Sequence, residues 1–165
     1  MSAIADFRII ETSKLNELRE NAQIKIEKRL FSKKVIDNYW DFLNANTTKL
    51  KDFDWSGYTF NNLLIFLEEK KGVDLLKGKY DDIANEIVEK RQNGTFILTF
   101  EHRQKYLDKL NPENYSEKEL IDFNKNFSEE DDPELAKAEM EGIKALQDSL
   151  SLLKDDTKVV LLTIS

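Results

Sequence analysis

Residues 157–164, "TKVVLLTI", constrain the fold of this chain more than any other stretch. They are mostly apolar and β-branched, which is typical of a strand. An isolated strand would leave its backbone N–H and C=O groups without partners, so this segment must pair with other strands. Two segments have the same character, "AIADFRII" at 3–10 and "TFILTF" at 95–100. The sequence therefore predicts a small sheet of about three strands.

Helical patterns fill the segments between these strands. Apolar residues recur at helical spacing, and Gly and Pro are scarce, at five and two, so few tight turns are expected. Helices are predicted over 15–26, from Ser32 to Leu43, over 60–71, 81–91 and 106–110, from the capping box at Ser116, and over 133–153. Residues 44–57 are predicted to form a loop. A chain of 165 residues fits one domain, so residues 1–165 are predicted to form a single helix-dominated α+β domain.

The charge balance narrows the classes of partner. The chain has 25 basic and 32 acidic residues, a net charge of −7, which repels nucleic acid and anionic membranes. One basic stripe, Lys25, Lys28, Arg29, Lys33 and Lys34, is interpreted as the solvated faces of two helices. The segment "MSAIADFRIIETSK" has no signal-peptide pattern, and no apolar run is long enough to span a membrane. A cytoplasmic protein that binds neither nucleic acid nor membrane is expected.

Residues suited to catalysis are few. Without cysteine the chain has no disulfide, thiolate zinc site or cysteine nucleophile. The acidic run "SEEDDPE" at 128–134 lacks the alternating spacing of a calcium loop and is expected to be a solvated turn. No metal and no cofactor are expected. The one histidine, His102, is expected to be partly exposed at the start of a helix and paired with a carboxylate.

The segment "FDWSGYTF" at 53–60, the aromatic loop, is the strongest candidate for a binding site. Its rings can plug the core, or Trp55 and Tyr58 can form a surface beside Asp52 and Asp54, because such rings combine an apolar body with a polar tip. Both interpretations stay open on the sequence. The candidate binding residues are thus Asp52, Asp54, Trp55, Tyr58 and His102.

Three segments resemble the YfbM-like family of bacterial cytoplasmic proteins of unknown function. They are "IADFRIIETSKLNEL", "DFDWSGYTFNNLL" with its Trp-x-Gly element, and "ALQDSLSLLKDDTKVVLLTI". The family's histidines near the tryptophan are absent here. The resemblance implies an α+β fold and a bacterial cytoplasm, and it implies no activity.

The leading functional hypothesis is a non-catalytic acidic interaction module. Its concrete form is an immunity or antitoxin-like protein that masks a basic partner, because acidic surfaces steer basic partners. The alternative is a hydrolase-like enzyme of small molecules that uses His102 with a carboxylate. A homodimer formed through the aromatic loop is a third alternative.

Overall fold

The structure, a computed structural model, describes residues 3–30 and 32–165. The helices are α1 Leu15–Asn21, α2 Tyr39–Asn46, α3 Thr59–Lys71, α4 Asp81–Arg91, α5 Phe100–Tyr106, α6 Glu117–Phe127 and α7 Pro133–Ser151. The strands are β1 Ala5–Glu11, β2 Lys25–Arg29, β3 Ser32–Ile36, β4 Thr47–Lys49, β5 Gly94–Leu98 and β6 Lys158–Ile164. The predicted helix-dominated α+β fold is confirmed.

The main sheet has four antiparallel strands in the order β4-β1-β6-β5. Strand β6 lies between β1 and β5, with Ile164 opposite both Ala5 and Gly94. The pairing expected for residues 157–164 is therefore confirmed, and the last strand in sequence is an inner strand of the sheet.

Strand β6 is apolar on both sides because helices cover both faces of the sheet. Val160 and Leu162 belong to a core formed with α3, α6 and α7, whereas Val159 and Leu161 belong to a second core formed with α1, α2 and α4. Successive side chains of a strand point to opposite faces, so a strand buried on both faces needs a continuous apolar run. This double burial explains the sequence "VVLLTI".

The sheet has one more strand than predicted. Residues 44–57 were expected to be a loop, but Thr47–Lys49 forms the edge strand β4, with Lys49 opposite Arg8 and Thr47 opposite Ile10. Its side chains are half-buried at Thr47 and exposed beyond it, so it has no apolar alternation. An edge strand of three polar residues is held by backbone pairing, which the sequence pattern does not show.

The predicted helices over 15–26 and from Ser32 are wrong in part. Helix α1 ends at Asn21, and Lys25–Arg29 pairs with Ser32–Ile36 in a two-stranded antiparallel hairpin. Isoleucines at 24 and 26 alternate with charged residues, a period-two pattern that competes with the helical one. The basic stripe consequently lies on a hairpin, not on two helices.

Helices α3, α4, α6 and α7 agree with the prediction apart from their ends. The helix predicted over 106–110 is wrong in part, because α5 spans Phe100–Tyr106 and Asp108–Leu110 forms a 3₁₀ helix. Helix α3 ends at Lys71 and is capped by Gly72, whose φ of +62° is left-handed. The capping box of Ser116 and Glu119 begins α6. The middle strand ends at Leu98 instead of residue 100, because Thr99 caps α5. Within the described ranges, no helix combines the length and apolar character needed to cross a membrane.

Candidate functional site

The aromatic loop is tied to the sheet at Gly57. Its backbone N–H donates to Ala3 O at 2.8 Å. A Cβ at this position would lie 2.9 Å from Ala5 N and from Ile4 C, closer than real side chains approach a backbone. Only glycine permits this approach, which fixes the loop against β1.

The loop has an inner and an outer side. Phe53 and Phe60 pack together with ring centroids 4.9 Å apart, and Phe60 also contacts Phe7 of β1. Tyr58 is exposed and Trp55 is half-buried. The loop therefore plugs the core with its phenylalanines and presents Trp55 and Tyr58 at the surface.

Trp55 and Tyr58 line a groove of about 650 Å³. The acidic turn before α7 and the first turn of that helix also line it, through Glu129, Glu130, Asp131, Asp132 and Glu134. Leu135 and Ala138 add apolar surface to its lining. We name this feature the acidic groove.

Few lysines neutralise the acidic groove. Lys125 Nζ lies 3.9 Å from Asp131 Oδ2, and Lys137 Nζ pairs with Glu134 Oε1. Among the side chains that the structure describes, Glu129 and Glu130 form no ion pair. The turn is exposed, as expected, and Asp132 Oδ1 caps α7 by accepting the backbone N–H of Glu134 at 2.9 Å. The groove is therefore a concentrated negative surface beside two aromatic rings.

Asp52 and Asp54 line a second groove, of about 510 Å³, which also includes Trp55. Its other wall is α7, with Lys144 and Asp148 joined by an ion pair of 2.7 Å. Asp52 is itself paired with Lys49. The second groove is thus less negative than the acidic groove, and Trp55 borders both.

A polar network joins three helices at the acidic groove. Asn62 on α3 donates to Asn124 Oδ1 at 3.1 Å and to Ser128 Oγ at 2.8 Å. Asn124 on α6 in turn donates to Glu139 Oε2 on α7 at 2.7 Å. Asn62 and Ser128 line the groove, so the network holds the acidic turn against α3.

Glu139 is fully buried, and this burial changes its acid–base chemistry. Removal from water raises the pKa of the Glu139 carboxyl to about 7, and the nearby charge of Glu130 also raises it, while the hydrogen bond from Asn124 lowers it. Glu139 Oε1 has no hydrogen-bond partner among the described residues. The residue was not predicted as part of a site, although a glutamate at helical spacing between the apolar Ala136 and Ile143 was a usable signal.

His102 differs from the expectation of a partly exposed, carboxylate-paired histidine. Its side chain is buried at the third position of α5, where it completes a capping box with Thr99. The Thr99 backbone N–H donates to Nδ1 at 2.9 Å, so Nε2 carries the proton and donates to Lys77 O at 2.8 Å. A capping box satisfies N–H groups at a helix start, and histidine here takes the place of the usual glutamate.

His102 lies apart from the other predicted site residues. It lines a different pocket, with Asp74, Asp81 and Glu101, and neither Trp55 nor Tyr58 contributes to that pocket. Both ring nitrogens are engaged by backbone groups, which leaves neither free to accept a proton from a substrate. Of the predicted site residues, Asp52, Asp54 and Trp55 therefore share the second groove, and Trp55 and Tyr58 share the acidic groove. His102 lies in neither groove. No cluster of three metal-ligating side chains occurs in the described part of the chain.

No family model matches this sequence, and the searches of curated proteins and of solved structures found no match. The resemblance to the YfbM-like family therefore stays a prediction.

Proposed function

We propose that this protein is a non-catalytic interaction module of a bacterial cytoplasm that binds the basic surface of a protein partner in the acidic groove. In its concrete form it is an immunity or antitoxin-like protein that masks a basic toxin or nuclease. The observation that carries the proposal is the acidic groove itself, which five acidic residues line together with Trp55 and Tyr58.

The chemistry of the groove suits arginine and lysine side chains. Carboxylates accept paired hydrogen bonds from a guanidinium, and an aromatic face attracts a cation by about 0.5–2 kcal/mol. Trp55 and Tyr58 also offer rigid apolar area, which is common at the centre of interfaces. The long-range negative field speeds association with a basic partner and weakens as salt is added.

The test is capture of a basic partner by the immobilised protein at low and at high salt. We expect capture at low salt, its loss at high salt, and an affinity at least about tenfold lower for the double variant Glu130→Lys/Asp131→Lys. Trp55→Ala should also weaken capture, because it removes the ring shared by both grooves.

The matched control reverses the same number of charges elsewhere. Glu20→Lys/Glu89→Lys changes exposed carboxylates on α1 and α4, which lie on the other face of the sheet. This control should capture the partner nearly as well as the wild type. Capture of no basic protein at either salt concentration, or equal loss in both double variants, would contradict the proposal.

A further inference from the structure

The hairpin formed by β2 (Lys25–Arg29) and β3 (Ser32–Ile36) has an exposed apolar and basic face. Ile26 pairs with Val35, and Lys28 pairs with Lys33. Cross-strand partners and residues two apart lie on the same face of a ribbon, so these four side chains share one face. Ile26 and Val35 are 60% and 62% exposed, and Leu30 in the turn is 94% exposed.

This apolar surface is concentrated in one region. Within the described ranges, five of the nine exposed large hydrophobic residues lie between residues 24 and 40. Neither strand of the hairpin pairs with the main sheet. A lone two-stranded hairpin is only marginally stable in water, and clustered exposed apolar residues are typical of an interface. The hairpin is thus suited to docking on another surface.

The charge of the hairpin indicates which surface it fits. Residues 25–36 contain five basic residues and one acidic residue, in a chain whose net charge is −7. The acidic groove has the opposite charge, and Trp55, Tyr58 and Leu135 give it apolar surface to match the hairpin. A single sequence therefore carries both a basic, apolar projection and an acidic, aromatic groove.

We propose that the protein forms a homodimer in which the hairpin of each copy lies in the acidic groove of the other. Two such reciprocal contacts close a dimer with twofold symmetry. The inference rests on the acidic groove as the proposed binding surface and adds a regulatory step. A basic partner must displace the hairpin of the second copy before it can bind.

The test is sedimentation velocity over a range of concentrations at about 10 mM and about 1 M salt, where the screening length is about 30 Å and about 3 Å. The wild type should be a dimer at low salt and should dissociate at high salt. The hairpin variant Lys28→Glu/Lys33→Glu reverses the charge of the face that carries Ile26 and Val35. The groove variant Glu129→Lys/Glu130→Lys/Asp131→Lys leaves two carboxylates and three lysines in the lining. Each variant should dimerise at least about 100-fold more weakly. All five side chains are exposed, so both variants should fold, which circular dichroism checks.

A mixture of the two variants gives the decisive result. In a mixed dimer the two new glutamates on the hairpin face of one copy meet the three new lysines in the groove of the other copy. The unchanged basic hairpin of the second copy meets the unchanged acidic groove of the first. Equimolar mixing should therefore restore the dimer, although each variant alone is a monomer. The control Lys118→Glu/Lys154→Glu, outside both surfaces, should dimerise like the wild type.

A wild type that is monomeric at low salt at every concentration would overturn the inference, and so would a mixture that stays monomeric. If the hairpin binds nucleic acid or an anionic membrane instead of a second copy, the wild type should be a monomer at low salt. The proposed function is judged separately. A monomeric wild type whose groove variant loses the basic partner contradicts only the dimer, and a confirmed dimer that captures no basic partner contradicts only the function.

Discussion

Glu139 is a carboxyl placed on the buried side of α7, where water cannot solvate its charge. Burial raises its pKa from the ordinary value of 4.5 to about 7. The folded protein therefore keeps a proton on Glu139 at pH values where the unfolded chain has lost it. Because the proton is bound more tightly in the folded state, this group favours folding at low pH, and its contribution declines as the pH rises.

The first prediction is a pH dependence that Glu139→Gln removes. Between about pH 4.5 and about pH 7, Glu139 should lower the free energy of unfolding by up to about 1.4 kcal/mol per pH unit. Glutamine stays neutral and can still accept the hydrogen bond from Asn124, so the variant should lack this slope. Urea unfolding at several pH values measures it.

The control for this prediction is Glu141→Gln, which changes an exposed carboxyl on the same helix. This variant should show the same slope as the wild type. Parallel curves for the wild type and Glu139→Gln would show that the buried carboxyl does not titrate as described.

At the scale of a single element, the start of α5 depends on His102. Its ring closes the capping box with Thr99, bonds Lys77 O, and packs beneath Gly78, where a Cβ would lie 2.8 Å from its Cε1. These contacts join the helix to the preceding strand and to the segment before α4. The histidine therefore has a structural task that accounts for its burial.

His102→Ala is predicted to lower the free energy of unfolding by about 1–3 kcal/mol, because it leaves buried polar groups unpaired. His102→Gln should retain more of the stability, since glutamine at this position also completes a capping box. Chemical denaturation of the three proteins measures the difference. If His102→Ala and His102→Gln lower the free energy of unfolding equally, the capping interaction makes no measurable contribution to stability.

At the scale of the whole molecule, two cores share one sheet. Val160 and Leu162 face one core, and Leu161 faces the other, so neither core can open without disturbing β6. The two tryptophans lie on different sides of this sheet. Trp40 is on α2, beside the core that contains Leu161, and Trp55 is in the aromatic loop, beside the core that contains Leu162.

The two tryptophans should therefore report one common unfolding transition. Single-tryptophan variants, Trp55→Phe and Trp40→Phe, allow each side to be followed by fluorescence. In each background, Leu161→Ala and Leu162→Ala should both lower stability by about 2–5 kcal/mol, because each removes a fully buried side chain. Each substitution should shift both reporters together. Separate transitions at Trp40 and Trp55 would show that the two cores unfold independently.

Local patterns in the sequence predicted much of the fold but only part of the site. Helices α3, α4, α6 and α7 follow from apolar periodicity and end signals, which need only neighbouring residues. The hairpin was missed because Ile24 and Ile26 fit both a weak helical pattern and a strand pattern. At the site, Trp55 and Tyr58 were candidate binding residues in a loop that the sequence allowed to be either a core plug or a surface. The acidic turn in the same groove, 71 or more residues later, was interpreted only as a solvated turn.

The sequence by itself determined the helix-dominated α+β class, the pairing of residues 157–164, and the excess of acidic residues, since each depends on composition or on local periodicity. The tertiary structure alone decided that β6 is an inner strand covered on both faces, that His102 is engaged by backbone groups, and that a turn at 129–132 forms one groove with Trp55 and Tyr58. The physical reason is the distance along the sequence over which each interaction acts. Periodicity and capping act over a few residues, whereas burial and the meeting of distant side chains depend on how the helices pack against the sheet.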